Sequence, residues 1–253
     1  MEKKDLHTSG GLHIDGGEYK NVHVSGSIKV SGNLACETLH CSGATKIEGT
    51  LDCAGEISNS GAVKVMGAVN IGSARVSGSF ACGEGVQCAG SLRASGSVKV
   101  GGDLRVGEGH FSGSCSVGGS VHAGSLACSG KLSAEKDVEA EEFKSSGKLE
   151  IHGLLNAERV EISADGVSEI GDIGGGTILV KKDGRVFGFS IGGGRRGLRV
   201  RTIEGDRVEL EETQAKVVRG KYVRIGRGCE IDRVEYSEDL TLDGGTVREQ
   251  VRV

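Results

Sequence analysis

The unbroken run SGSIKV–SGNLAC–ETLHC–SGATKI–EGTLDC–AGEISN–SGAVKV–MGAVNI–GSARV, from Ser25 to Val76, decides the fold. Most blocks of six place Gly second and small apolar residues fourth and sixth. Residues at i and i+2 face one side of a β-strand, and the preceding Gly suits a tight corner. Sixes and fives add to a longer period. Gly26, Gly43, Gly61, Gly78, Gly96, Gly113, Gly130 and Gly147 recur at spacings of 17, 18, 17, 18, 17, 17 and 17 residues. Three strands of five or six residues then make one turn of a triangular parallel β-helix.

Outward from this stretch, an imperfect turn around Leu12, Ile14, Tyr19, Val22 and Val24 opens the pattern, which continues to Ser163. The expected organisation is a short polar tail over 1–8 and a β-helix of about nine turns over 9–163. An irregular segment over 164–205 follows, and further β-helix turns over 206–253. In the irregular segment, TILVKK (177–182), Asp183-Gly184 and RVFGFSI (185–191) read as a hairpin, with Phe187 and Phe189 packing on the helix and GGGRRG (192–197) as a loop.

Register assigns every residue a column. From Ile28 one turn at a time come Thr45, Val63, Phe80, Val98, Cys115 and Leu132; from Val30 come Ile47, Val65, Cys82, Val100, Val117 and Ala134. Cys36, Cys53 and Cys88 share an inward column with Ile71 and Val106, and Cys41 and Cys128 share one with Val76 and Ile162. Cysteines standing where Val or Ile would stand read as small core hydrophobes with free thiols, including the stacked pair Cys36 and Cys53.

Composition fits a thin core. Of 253 residues 45 are Gly and none is Pro or Trp, which excludes collagen, and recurring Val, Ile and Leu argue against a disordered linker. A net charge of −4 is not the footprint of a general nucleic-acid binder, so no nucleic-acid partner is expected. The opening MEKKDLHTSG has no apolar core of a signal peptide, which places the expected location in the cytoplasm, as filaments or foci near the membrane.

Chemistry-bearing groups are sparse. His23, His40 and His110 share an outward column with Arg75 and Arg93, and a pair of histidines without a third ligand is an incomplete metal site. No metal and no cofactor are therefore expected. Lys29, Lys46, Lys64 and Lys99 form a basic stripe, the candidate face for an acidic partner if the chain is a monomeric binding module. GGGRRG lacks the phosphate-loop pattern, and neither G-x-S-x-G nor H-E-x-x-H occurs, so no catalytic residue is assigned. A hexapeptide-repeat enzyme, of the acyltransferase or carbonic anhydrase kind, is a third reading. Those enzymes carry one dominant aliphatic residue per hexad, whereas two occur here.

The two ends of the repeat suggest assembly. Strand pattern begins by Leu12 and REQVRV ends on Val253, with no cap for the open strand edges. End-to-end association is expected through Leu12, Ile14 and Tyr19 at one end and Val247, Val251 and Val253 at the other.

The hexads SGSIKV–SGNLAC and SGSVKV–GGDLRV (95–106) resemble those of the bactofilins, bacterial polymer-forming cytoskeletal proteins. The stretches IEGDRVELEETQAKVVRGKYVRIGRGCEIDRVEYSEDL (203–240) and GGLHIDGGEYKNVHVSG (10–26) look like the Firmicutes branch of that family. The resemblance implies a right-handed parallel β-helix polymerising through its ends into non-polar, nucleotide-independent filaments. It also implies scaffolding of cell shape, motility or polar and envelope organisation, with itself or a paralogous bactofilin as partner. Two departures stand out: there is no Pro, and MEKKDLHTSG does not match the family's apolar membrane-targeting peptide. Any membrane association is expected to be indirect or weak.

Overall fold

A computed structural model describes residues 3–164, 167–182 and 197–253. These residues form an all-β chain of 24 strands with no helix among them, and the ladders are parallel. The chain is a parallel β-solenoid, built as two compact units, Met1–Gly124 and Ser125–Val253.

In the first unit, β1 (Lys4–Thr8), β2 (Gly11–Ile14), β3 (Gly17–Val24) and β4 (Ser27–Val30) begin the stack. Ser27–Val30 lies in register with Ala44–Ile47, which lies in register with Ala62–Val65, and so on to Ser114–Val117. Period-two alternation does the rest: each of these strands buries its second and fourth residues. Ile28, Thr45, Val63, Phe80, Val98 and Cys115 form one buried column, and Val30, Ile47, Val65, Cys82, Val100 and Val117 another. Burying each Val or Ile stabilises the stack by roughly 1.5–3 kcal/mol. Cys36, Cys53, Ile71, Cys88 and Val106 make a third column, as the spacing predicts.

Glycine marks the corner because adjacent turns touch there. At the Gly43 corner, Ser42 N donates to Val24 O at 2.8 Å and Ala44 N to Gly26 O at 2.9 Å, so the bend loses no backbone bond. A Cβ on Gly43 would overlap the Gly26 carbonyl oxygen one turn below.

Residues 4–8 correct the expected polar tail. They are a strand, with Leu6 over Val22 and Thr8 over Val24, and both side chains are half-buried. One leucine among polar residues is too weak a periodic signal to announce a strand, yet the ladder beneath supplies both hydrogen bonds and an apolar floor.

In the second unit, Lys148–Ser163 pairs in parallel with Val138–Ser145 and with Val167–Lys181. The segment 164–205 differs from the irregular reading. Thr177–Val180 is parallel to Arg159–Ile162 on one side and to Arg207–Leu210 on the other, as an ordinary turn. Leu198–Ile203 likewise pairs with Thr213–Val218. The expected return strand 185–191, with Phe187 and Phe189, and residues 192–196 of the GGGRRG loop lie outside the described residues. Turn length also shortens: Leu198 pairs with Thr213 and Gln214 with Glu230, steps of 15 and 16 residues, although Val223 with Leu240 keeps 17.

Candidate functional site

The first unit offers one set of edge strands. β1 lies on β3 and β2 on β4, and among the described residues no strand lies on the outer side of either. Leu12 stands over Ile28, Ile14 over Val30 and Leu6 over Val22; the lower member of each pair is buried, the upper only half-buried. Three core columns thus surface here. Tyr19 does not belong to this edge, because Lys4 of β1 pairs above it. Leu6 takes the place that the sequence pattern gave to Tyr19.

The second unit ends on Thr246–Arg252, which lies on Ile231–Tyr236. Val247 continues the column of buried Ile231. Gln250, not a valine, stands over buried Val234. Val251 stands over Glu235, in the outward column that also holds Arg219, so it is displaced from the core column expected for it. Val253 is 73% exposed, its amide donating to Tyr236 O at 2.9 Å. Beside them Leu240 lies over Val223 and Leu242 over Ile225, with no strand beyond among the described residues. Leu242 is 44% exposed. The alternation in DLTL was readable in sequence, but only the register reveals that this strand faces outward from the stack.

The lysine stripe exists as a column but is not uniform. Lys29, Lys46 and Lys64 are successive rungs, Ala81 interrupts, and Lys99 follows. Glu48 receives Lys46 Nζ at 3.1 Å and Lys29 Nζ at 3.2 Å. These two ammonium groups hold its carboxyl below the usual carboxylate range. That leaves Lys64 and Lys99 as the rungs whose charge no ion pair offsets among the described residues.

All eight cysteines are buried thiols outside any disulfide. Burial pushes the Cys128 and Cys229 thiols up to about 11. Hydrogen bonding to the Cys53 sulfur, reinforced by burial, raises the Cys36 thiol. Thiols so placed are poor nucleophiles. A glycine-floored groove in the second unit, at Gly175, Gly205 and Gly220, is rimmed by charges that largely satisfy one another. Arg201 pairs with Asp172, Arg219 with Glu235 at 2.8 Å and Lys221 with Asp206 at 2.8 Å. Among the described residues no three His, Cys, Asp or Glu side chains converge on one point, and no helix is long and apolar enough to cross a membrane.

Two relatives belong to the same Bacillus subtilis strain. The chain is 42% identical over 92 residues to the uncharacterized protein YhbF of Bacillus subtilis strain 168, covering 36% of this chain and 37% of that one. It is 58% identical over 41 residues to the uncharacterized protein YhbE of the same strain, covering 16% of this chain and 17% of that one. The alignments therefore span well under half the length of either relative. No family model matches, and no solved structure matches.

Proposed function

We propose that this chain is a self-assembling scaffold of the bactofilin kind, whose copies join end to end through the uncovered edges of the solenoid without nucleotide. One observation carries the reading. Core columns surface as Leu6, Leu12 and Ile14 on one set of edge strands and as Leu240, Leu242 and Val247 on another. Edge strands with unpaired backbone groups and apolar side chains are templates for further strands. A second copy would satisfy both needs at once. The resemblance of the hexads and of residues 203–240 to the bactofilins supports the same reading. The corresponding role is a cytoplasmic framework for cell shape, motility or envelope organisation, built from this chain alone or with a paralogous bactofilin.

A second reading rests on Lys64 and Lys99, which leave a locally basic face. In that reading the chain is a monomeric module for an acidic partner. Negative-stain electron microscopy of the purified chain, without nucleotide or metal, separates the two. Thin unbranched filaments support assembly. Isolated particles of monomer size at micromolar concentration overturn it and leave the lysine face as the leading site.

A further inference from the structure

The structure completes a histidine ladder of which the sequence pattern gave two rungs. His7 on β1 pairs with His23 on β3, and His23 pairs with His40 in the next turn. The His7 and His23 ring centroids are 5.7 Å apart with planes 27° from parallel; those of His23 and His40 are 5.1 Å apart at 35°. His7 and His23 are exposed and His40 is half-buried. Among the described residues no hydrogen bond or ion pair engages these three rings. By contrast, His13 Nε2 sits 2.7 Å from Ser31 Oγ and His152 Nδ1 2.9 Å from Glu135.

A second ladder, two residues earlier on each strand, fixes the spacing. Asp5 Oδ1 accepts from Asn21 N at 3.2 Å and from Asn21 Nδ2 at 2.9 Å, and Thr38 Oγ1 donates to Asn21 Oδ1 at 2.8 Å. These bonds tie together the same three turns that carry the imidazoles. Farther along the histidine column Ser58 intervenes, and the next rung, Arg75, is paired with Glu56.

We propose that His7, His23 and His40 form a binding site for a late first-row divalent cation such as Zn²⁺, Ni²⁺ or Cu²⁺. Two neighbouring imidazoles hold the ion and water completes its coordination. Adjacent turns are about 4.8 Å apart. Two nitrogens on one tetrahedral cation, each about 2.05 Å from it, are about 3.4 Å apart. From the observed centroid separations of 5.7 and 5.1 Å, each ring leans in by about 1.2 Å in the first gap and about 0.9 Å in the second, half the difference, which side-chain rotation supplies. His7 and His40 are two turns apart, about 9.6 Å, and cannot share an ion. The ladder works by pairs, which agrees with the absence of three converging ligands among the described residues. His23 belongs to both gaps. A neutral imidazole offers one lone pair, so the ladder takes one cation, in either gap, and never without His23.

This dependence gives the test an unusual signature. Titrating the chain with ZnCl₂ by isothermal calorimetry, with circular dichroism to verify folding, is expected to show one ion per chain. His23→Ala and His23→Gln each weaken binding at least tenfold. His7→Ala and His40→Ala each weaken it only about twofold, because one of two gaps survives. The double variant lacking His7 and His40 behaves like His23→Ala. Wild-type affinity in the folded His23 variants overturns the proposal, as does an equal loss in all three single alanine variants.

Discussion

Asn59 Nδ2 donates to the Ser79 carbonyl at 2.9 Å from within an inward column, between Cys41 one turn below and Val76 one turn above. Asn59 is 1% exposed, and its Oδ1 has no hydrogen-bond partner. The amide is thus half-satisfied in a column that holds mostly small apolar or thiol side chains, with Ser145 its other polar member. Asn59→Asp keeps the shape but buries a carboxylate with no cation beside it. At pH 7 we expect a loss of roughly 3 kcal/mol or more. Burial raises the folded carboxyl above its unfolded value, so the loss grows as pH rises past about 4. Chemical denaturation at pH 3.5 and pH 7 measures it. An equal and small loss at both would contradict the burial of this side chain.

The Gly43 corner predicts a steep positional contrast. A Cβ there would meet the carbonyl oxygens of Gly26 and Ser25 in the turn below, both backbone atoms that cannot swing away. Gly43→Ala is expected to cost roughly 3 kcal/mol or more, because a whole turn must shift. Gly10 has nothing within 4 Å of the same position. Gly10→Ala should stay within about 1 kcal/mol of wild type. Thermal melts of the two variants side by side decide this.

The burial of the thiols predicts their reactivity. Native protein should react with an aromatic disulfide reagent only as it opens, and all eight thiols should react in guanidinium. Cys128 and Cys229 titrate near 11 in the folded state. The unfolded chain loses these protons first, from about pH 8.5 upward. Stability should therefore fall as pH rises through that window. Rapid labelling of several thiols in the folded chain at pH 7.5 would refute the inward placement.

Glu150 accepts from Lys131 Nζ and Lys148 Nζ, each at 2.6 Å, and the two cations hold its carboxyl down at about 2. Its depressed value means that the contribution is present above about pH 4.3 and fades as pH falls through about 2. The side chain remains 31% exposed, so solvent screens the pairs and Glu150→Gln should cost under about 1 kcal/mol. The difference from wild type should shrink in 1 M salt. A cost unaffected by salt and pH would mean that the variant acts through packing.

Much of the fold was legible because the same physical demand recurs in every turn. Gly26, Gly43 and Gly61 stand at one corner, and Val30, Ile47 and Val65 in one column, so a single register fixed them all. Legibility failed where a residue's fate depends on its neighbour in the ladder and not on its own strand. Leu6 is alone among polar residues, and only Val22 beneath it reveals its role. His7 escaped the histidine column for the same reason. Val251 looks like a core residue in REQVRV, yet the 16-residue step from Glu235 turns it outward. Gly-rich turns with 17- or 18-residue steps announce themselves; the shortened turns of the second unit do not.

The edge assignments separate residues that the sequence pattern treats alike. Leu12 tops the buried Ile28, and Leu242 the buried Ile225, so an arginine at either position is solvated in the monomer but becomes an unpaired, desolvated charge once another strand covers it. Leu12→Arg and Leu242→Arg should each raise the critical concentration for filament formation more than tenfold while leaving the β-sheet circular dichroism intact. Val251 stands over Glu235, in an outward column. There an arginine gains an acidic neighbour and avoids the core column, so Val251→Arg should shift the critical concentration by less than about threefold. Pelleting across a concentration series measures all three. A Val251→Arg effect as large as that of Leu242→Arg would show that the contact is set by outward residues and not by the surfaced core.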